Sequence, residues 1–124
     1  MRSAKIIEGA AKPAGQYSHA VVANGLVFVS GQGPADPATN IVPDGFADQV
    51  RQTLRNVQTI LRGVGADLHD VVKVNAYLSD VTRFRDYNEI YKEFFTADPP
   101  ARTTVGSQLV GIQVEIDCVA VLPD

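Results

Sequence analysis

An α+β two-layer sandwich, a mixed sheet with two helices on one face, is the fold class this sequence predicts, and three observations predict it. Two segments of helical period, each with one apolar face, lie among six short runs of strand period. The elements follow in the order β-β-β-α-β-α-β-β, which lets both helices share one side of a single sheet. The 124 residues suffice for one two-layer core and not for two, so a single domain over residues 1–124 is expected.

Residues 5–9 are a short strand-like run, and Lys12-Pro13-Ala14-Gly15 is turn-rich. Residues 20–23 and 26–30 read as strands joined at Asn24-Gly25, a pair that accepts the positive φ angles of a tight hairpin. Gly31-Gln32-Gly33-Pro34-Ala35-Asp36-Pro37 is a loop, and the turn Val42-Pro43-Asp44-Gly45 leads into the first helix. There Phe46, Val50, Leu54, Val57, Ile60, Leu61 and Val64 recur at three- and four-residue intervals, one apolar face. The helix stops at Gly63-Val64-Gly65, where glycine takes the left-handed cap conformation. Asp67 and Asp70 fit a solvated turn, and residues 71–79 read as a strand. Asp80 or Thr82 caps a second helix carrying Phe84, Tyr87, Ile90, Tyr91, Phe94 and Phe95, which ends before Pro99. Two strands complete the chain, about 102–109 and 113–121, separated by Gly111.

The strand faces carry a further message. Alternation puts Val72, Val74, Ala76 and Leu78 on one side and Val71, Lys73, Asn75 and Tyr77 on the other. The last strand divides into Val114, Ile116, Cys118 and Ala120 against Glu115, Asp117, Val119 and Val121. The first set of each suits a helix layer. The second mixes valine and tyrosine with charge, too apolar for free solvent and too polar for a dry core. A subunit interface accommodates that mixture, so a homo-oligomer is expected.

Composition excludes several classes. Apolar residues make up 45% and charged residues 20%, as in ordinary globular domains. The net charge is −3, with eleven basic residues scattered among fourteen acidic ones, so a nucleic-acid partner is not expected. Cys118 is the single cysteine, which rules out an internal disulfide and fits a reducing compartment. The opening Met1-Arg2-Ser3-Ala4-Lys5 lacks the apolar stretch of a signal peptide, and no apolar run reaches membrane-spanning length. A cytoplasmic location away from membranes is therefore expected. His19 and His69 lack the spacing of metal ligands, and Gly31-Gln32-Gly33 lacks the pattern of a phosphate loop, so neither metal nor cofactor is expected.

Arg102 stands in Pro99-Pro100-Ala101-Arg102-Thr103-Thr104, between the second helix and a strand. A guanidinium offers a planar fork of donors and a charge that does not titrate away, which suits bidentate capture of a carboxylate. Glu115, on the neighbouring strand pattern, is placed to handle protons or water beside a captured molecule. Each residue has a structural alternative. Arg102 can pair with Glu115, Asp117 or a neighbouring chain, and Glu115 can fix Arg102 or Lys73 in an ion pair.

Together the segments resemble the Rid proteins, also called the YjgF family, the reactive-intermediate deaminases. The resemblance spans about residues 5–122. It is carried by Gly15-Gln16-Tyr17-Ser18-His19-Ala20, Phe28-Val29-Ser30-Gly31-Gln32-Gly33-Pro34 and the helix from Gln49 to Gly65. It continues through Val71-Val72-Lys73-Val74-Asn75-Ala76-Tyr77-Leu78, Tyr87-Asn88-Glu89-Ile90-Tyr91, Phe94-Phe95, Pro100-Ala101-Arg102 and Val114-Glu115-Ile116. No one of these is diagnostic; their order and spacing are. The resemblance implies a chorismate-mutase-like fold assembled as a homotrimer with clefts between neighbouring subunits. It implies hydrolysis of 2-enamines and 2-imines of 2-oxo acids, giving ammonia and the 2-oxo acid, with no cofactor and no metal.

By the same resemblance Arg102 is the carboxylate anchor, Glu115 the acid beside the water, and Tyr17, Ser30 and Asn88 are cleft residues. Gly31 is the loop glycine whose backbone faces the ligand. Thr104 stands where many members carry cysteine and also borders the cleft; a cysteine nucleophile is thereby excluded there, and Cys118 reads as a small core residue. The stretch between Thr104 and Glu115 is short, with Gly106 and Gly111, which bears on substrate range. Tyr17 alternatively pins the N-terminal segment, Ser30 bonds the strand end, and Asn88 bonds loop backbone. A non-catalytic protein binding 2-oxo acids through the same clefts is the second reading of the whole. The family's older label of endoribonuclease and translation inhibitor is the third, disfavoured by the acidic balance.

Overall fold

The structure is a computed structural model describing residues 1–124. Its strands are β1 (Ser3–Lys5), β2 (Ala20–Ala23), β3 (Leu26–Gln32), β4 (Val71–Leu78), β5 (Ala101–Gly106) and β6 (Val114–Val121), and its helices are α1 (Phe46–Gly63) and α2 (Phe84–Phe94). They form one six-stranded sheet in the order β1-β2-β3-β6-β4-β5. Only β4 and β5 run parallel; the other neighbours are antiparallel. The parallel pair needs a crossover, which α2 supplies. The α+β class and the element order are as the sequence predicts.

Local chemistry accounts for the turns. Asn24 and Gly25 both take positive φ, 51° and 73°, closing the β2–β3 hairpin. At the end of α1, Gly65 has φ 89°, its N–H donates to the Arg62 carbonyl, and the Ala66 N–H donates to the Leu61 carbonyl. That paired closure satisfies carbonyls the helix leaves open. Asp80 is the cap on the approach to α2, accepting from the Thr82 N–H at 3.0 Å within a short 3-10 turn. Asp67 does more than sit in a solvated turn. It accepts from Gln58, Arg62 and the Leu68 N–H, fastening the end of α1 to the start of β4.

The apolar stripe of α1 packs on the inner face of β3 and β6. Val50, Leu54, Ile60 and Leu61 of the helix and Val27, Val74, Ala76, Leu78, Val114 and Ala120 of the sheet are fully buried. Each buried aliphatic side chain of this size stabilises the fold by about 1.5–3 kcal/mol relative to exposure. Cys118 belongs to this core, and burial followed by the nearby Asp117 charge pushes its thiol up to about 12, leaving it unreactive.

Strand boundaries and register differ from the sequence reading in several places. The first strand is Ser3–Lys5 rather than 5–9, and β5 ends at Gly106 rather than 109. In β4 the pairing shifts register between Val71 and Lys73, so Val71 is buried while Val72 turns to the opposite side. A bulge adds one residue and resets the alternation, which simple period-two reading cannot anticipate. A second shift lies in β3 between Val29 and Gln32, both buried, and it swings Ser30 and Gly31 together onto the outer face.

That outer face carries no helix. Its register sets Val21, Phe28, Val119 and Lys73 in one cross-strand row, and Asp117, Asn75 and Thr103 in another. Phe28, Val72 and Val121 remain 44–45% exposed there. Asp117 accepts from Asn75 at 2.9 Å and from the Tyr77 hydroxyl at 3.0 Å, a bond that, with burial, raises the phenol above its ordinary range. The mixed apolar and polar character expected of this face is present.

Candidate active site

Pro99 and Pro100 bring the chain from α2 into the edge strand β5. Arg102 pairs with Val74, whose side chain is buried under the helices, so Arg102 faces the helix layer. Phe84, Tyr87 and Tyr91 occupy one stripe of α2, and the guanidinium carbon lies 5.4, 5.6 and 4.5 Å from their ring centroids. Such stacking attracts the cation and fixes its plane without neutralising it. The expected alternative, an ion pair, is not made within the chain: Arg102 has no carboxylate within salt-bridge distance. A cleft of about 500 Å³ opens beside it, lined also by Asn88, Tyr91, Lys92 and Phe95. Asn88 bonds no loop backbone, contrary to its structural alternative. Thr104 lies two residues beyond Arg102 on the same strand face, with its hydroxyl buried and unpartnered.

Glu115 belongs to a different place. On β6 it pairs with Tyr77, on the outer face of the sheet. Since Val74 and Tyr77 are three residues apart in β4, Arg102 and Glu115 project from opposite sides. Within one chain the anchor and the acid are not brought together. Glu115 lines a separate cleft of about 310 Å³ with Tyr17, Ser30 and Gly31. It makes neither of its expected ion pairs, since the Lys73 ammonium is bonded to Thr103 at 2.7 Å. Gly31 lies against the carboxylate so closely that an added Cβ would stand 2.8 Å from Oε2. Gly31→Ala is expected to displace that carboxylate, which sits at the end of a flexible side chain, and so to lower turnover about tenfold or more with little loss of stability. Thermal unfolding and turnover of one preparation check it.

Ser30 and Tyr17 serve the frame of this cleft as well as its wall. The Ser30 hydroxyl donates to the Ser18 carbonyl at 2.6 Å, and its N–H donates to the His19 carbonyl at 3.0 Å. The Tyr17 hydroxyl accepts from the Ala14 N–H at 3.0 Å, while the ring stays 45% exposed at the cleft. The structural alternatives of both residues are therefore present, and both also line the cleft.

Several functional supports escaped the sequence reading. His19 is 2% exposed; the Ile7 N–H donates to Nδ1 at 2.8 Å and Nε2 faces the Ala11 carbonyl at 2.7 Å, fixing the neutral tautomer with its proton on Nε2. It staples the N-terminal segment that carries Tyr17. His19→Ala leaves two backbone groups without partners and a hole in the packing, so a loss of about 2–4 kcal/mol of unfolding free energy is expected in a denaturant titration. Asn56, 3% exposed, donates to the carbonyls of Gly33 at 2.9 Å and Ala35 at 2.8 Å. Gln49 donates to the Pro43 carbonyl at 2.8 Å and accepts from the Gln113 N–H at 2.9 Å. These amides hold the loops flanking the cleft. Their signal was the pair of polar residues beside the apolar stripe of α1.

No cluster of three His, Cys, Asp or Glu side chains is assembled anywhere in the chain, and both His19 nitrogens are already committed to backbone. No helix is long and apolar enough to cross a membrane.

A two-layer α+β chain thus carries an unpaired arginine in a cleft on one side of its sheet and an unpaired glutamate in a separate cleft on the other. The family model described as endoribonuclease L-PSP matches residues 7–122, and the chain belongs to that family, the YjgF/Rid family. It is 40% identical over 123 residues to a RutC family protein of Pyrococcus horikoshii, covering 97% of this chain and 98% of that one. It is 39% identical to the 2-iminobutanoate/2-iminopropanoate deaminase of Bos taurus, covering 94% and 89% of the two chains. The crystal structure of the yeast protein YEO7 superposes with a TM-score of 0.95 at 33% identity, covering 99% and 100%.

Proposed function

We propose that this protein is a hydrolytic deaminase of 2-imino and 2-enamino acids, acting without a cofactor and releasing ammonia and the 2-oxo acid. The observation that carries the reading is the complementary pair of free groups, Arg102 without an anion and Glu115 without a cation. A homotrimer brings the Arg102 cleft of one subunit against the Tyr17-Ser30-Gly31-Glu115 cleft of the next. The uncovered sheet face, with Phe28, Val72 and Val121 exposed, lies between subunits in that assembly. A head-to-tail ring of this kind builds the same composite cleft at every interface. The deaminase name of relatives 38–39% identical to this chain supports the reading.

The residues then take distinct roles. Arg102 holds the substrate carboxylate through two parallel N–H donors, which fixes the adjacent C=N carbon. Asn88 and Thr104 flank the bound acid, and the Gly31 backbone comes close because no side chain intervenes. Glu115 accepts a proton from water as the water oxygen bonds to that carbon. The substrate reacts as its protonated imine, so the C=N electron pair moves to nitrogen as water adds; Glu115 then returns its proton to that nitrogen, the C–N bond breaks with its electrons on nitrogen, and ammonia leaves. Loss of the hydroxyl proton leaves the 2-oxo acid. An enamine first takes a proton at carbon to become the imine.

The test is competition for 2-iminopropionate, generated in situ by an amino-acid oxidase and trapped by semicarbazide. Wild-type protein is expected to lower the yield of trapped imine in proportion to its concentration. A trapping rate indifferent to the protein contradicts the deaminase reading and favours a protein that only binds carboxylates.

A further inference from the structure

The side-chain polar atoms buried without a hydrogen-bond partner are the hydroxyls of Tyr87, Tyr91 and Thr104. All three belong to the surroundings of Arg102: the two rings contact its guanidinium, and Thr104 shares its strand face. An orphaned buried hydroxyl destabilises the fold, so three at one place call for a reason. The rings also lock one another. Phe84, Tyr87, Tyr91 and Phe95 form a ladder with successive centroids 6.5, 5.6 and 4.6 Å apart.

We propose that Tyr91 and Tyr87 are positioning residues for Arg102: the Tyr91 ring carries the guanidinium plane, and the Tyr87 ring backs its inner edge. The inference rests on Arg102 being the carboxylate anchor. Its physical logic is neutrality. A carboxylate beneath the fork would orient it equally well but would cancel the charge and compete with the substrate. The two rings orient the cation and leave its charge for the ligand. Burial keeps both phenols protonated. It pushes Tyr91 up to about 12 and Tyr87 higher still, with Arg102 working in the opposite direction on each. The Tyr87 hydroxyl makes no hydrogen bond and Arg102 makes no ion pair within the chain, so the guanidinium donors stay uncommitted.

Two readouts on Tyr91→Phe, Tyr91→Leu, Tyr87→Phe and Tyr87→Leu test this. The first is the Arg102 Nε–H proton signal by NMR, assigned through its absence in Arg102→Lys. It is expected to be shifted by the rings in wild type and Tyr91→Phe, and to return to an ordinary arginine position in Tyr91→Leu. The second is the dissociation constant for 2-oxobutanoate, expected within about twofold of wild type in Tyr91→Phe and about tenfold weaker in Tyr91→Leu. Tyr87→Phe keeps the ring and removes an orphaned hydroxyl, so it is expected to bind within about twofold of wild type and to unfold at the same or a higher temperature, whereas Tyr87→Leu is expected to bind about threefold more weakly.

An unshifted signal in wild type, or one unchanged in Tyr91→Leu, overturns the role of Tyr91. Unchanged affinity in Tyr87→Leu overturns the role of Tyr87. If wild type shows the ring-shifted signal and Tyr91→Leu loses it, but wild type binds no 2-oxobutanoate, the functional reading falls and the positioning stands. If wild type binds and Tyr91→Leu binds equally well, the positioning falls and the functional reading stands.

Discussion

Arg102→Ala is expected to lower kcat/KM for 2-iminopropionate by about 10²- to 10³-fold, because the substrate loses both its charge partner and its alignment. The loss falls on activity rather than on the fold. Arg102 makes no ion pair within the chain, so its removal orphans no carboxylate. What the fold loses is stacking on Phe84, Tyr87 and Tyr91, worth about 1 kcal/mol at a partly exposed site. Arg102→Lys is expected to recover little. An ammonium presents a point charge without the two parallel donors, and it stacks less well. Steady-state kinetics beside thermal unfolding checks both substitutions in one set of preparations. Equal turnover in wild type and Arg102→Ala would remove Arg102 from the site.

Glu115→Gln is expected to reduce kcat by about 10²- to 10⁴-fold while leaving 2-oxo acid affinity near that of wild type. The amide keeps the shape of the carboxylate but takes no proton from water. Binding is spared because the carboxylate anchor lies on another strand. Stability is expected to hold or rise slightly: Glu115 has no cationic partner to lose, and its charge lies near that of Asp117, both of them acting on Tyr77. A fall in kcat with unchanged product affinity separates proton handling from anchoring. A parallel loss of affinity would assign Glu115 to binding instead.

How far the sequence reached depends on which interactions are local. Asn24-Gly25 and Gly65 each impose a backbone conformation by their own chemistry, and both turns match the sequence reading; Asp80 instead caps the 3-10 turn before α2, whose own N-cap, Arg83, makes no side-chain bond. The apolar stripe of α1 was equally legible, since burial follows a fixed period. The β4 bulge was not, because one extra residue at Val72 depends on how β6 pairs with it rather than on β4 alone. The amides of Gln49 and Asn56 were read past for a related reason. Their partners are carbonyls and N–H groups of distant loops, which residue types do not reveal. At the site, Arg102 and Glu115 stood out as residue types, but their placement on opposite sheet faces came only from the joint register of β5, β4 and β6. The ladder behind Arg102 was read simply as the apolar face of α2.

The central claim is that one subunit supplies Arg102 and its neighbour supplies Glu115. Mixing Arg102→Ala with Glu115→Gln tests it most directly, after unfolding and reassembling the two together. Each variant alone is expected to be nearly inactive. A working interface needs the intact arginine of one and the intact glutamate of the other, so an equal random mixture is expected to regain about a quarter of wild-type turnover. A mixture as inactive as its components would contradict a site shared between subunits.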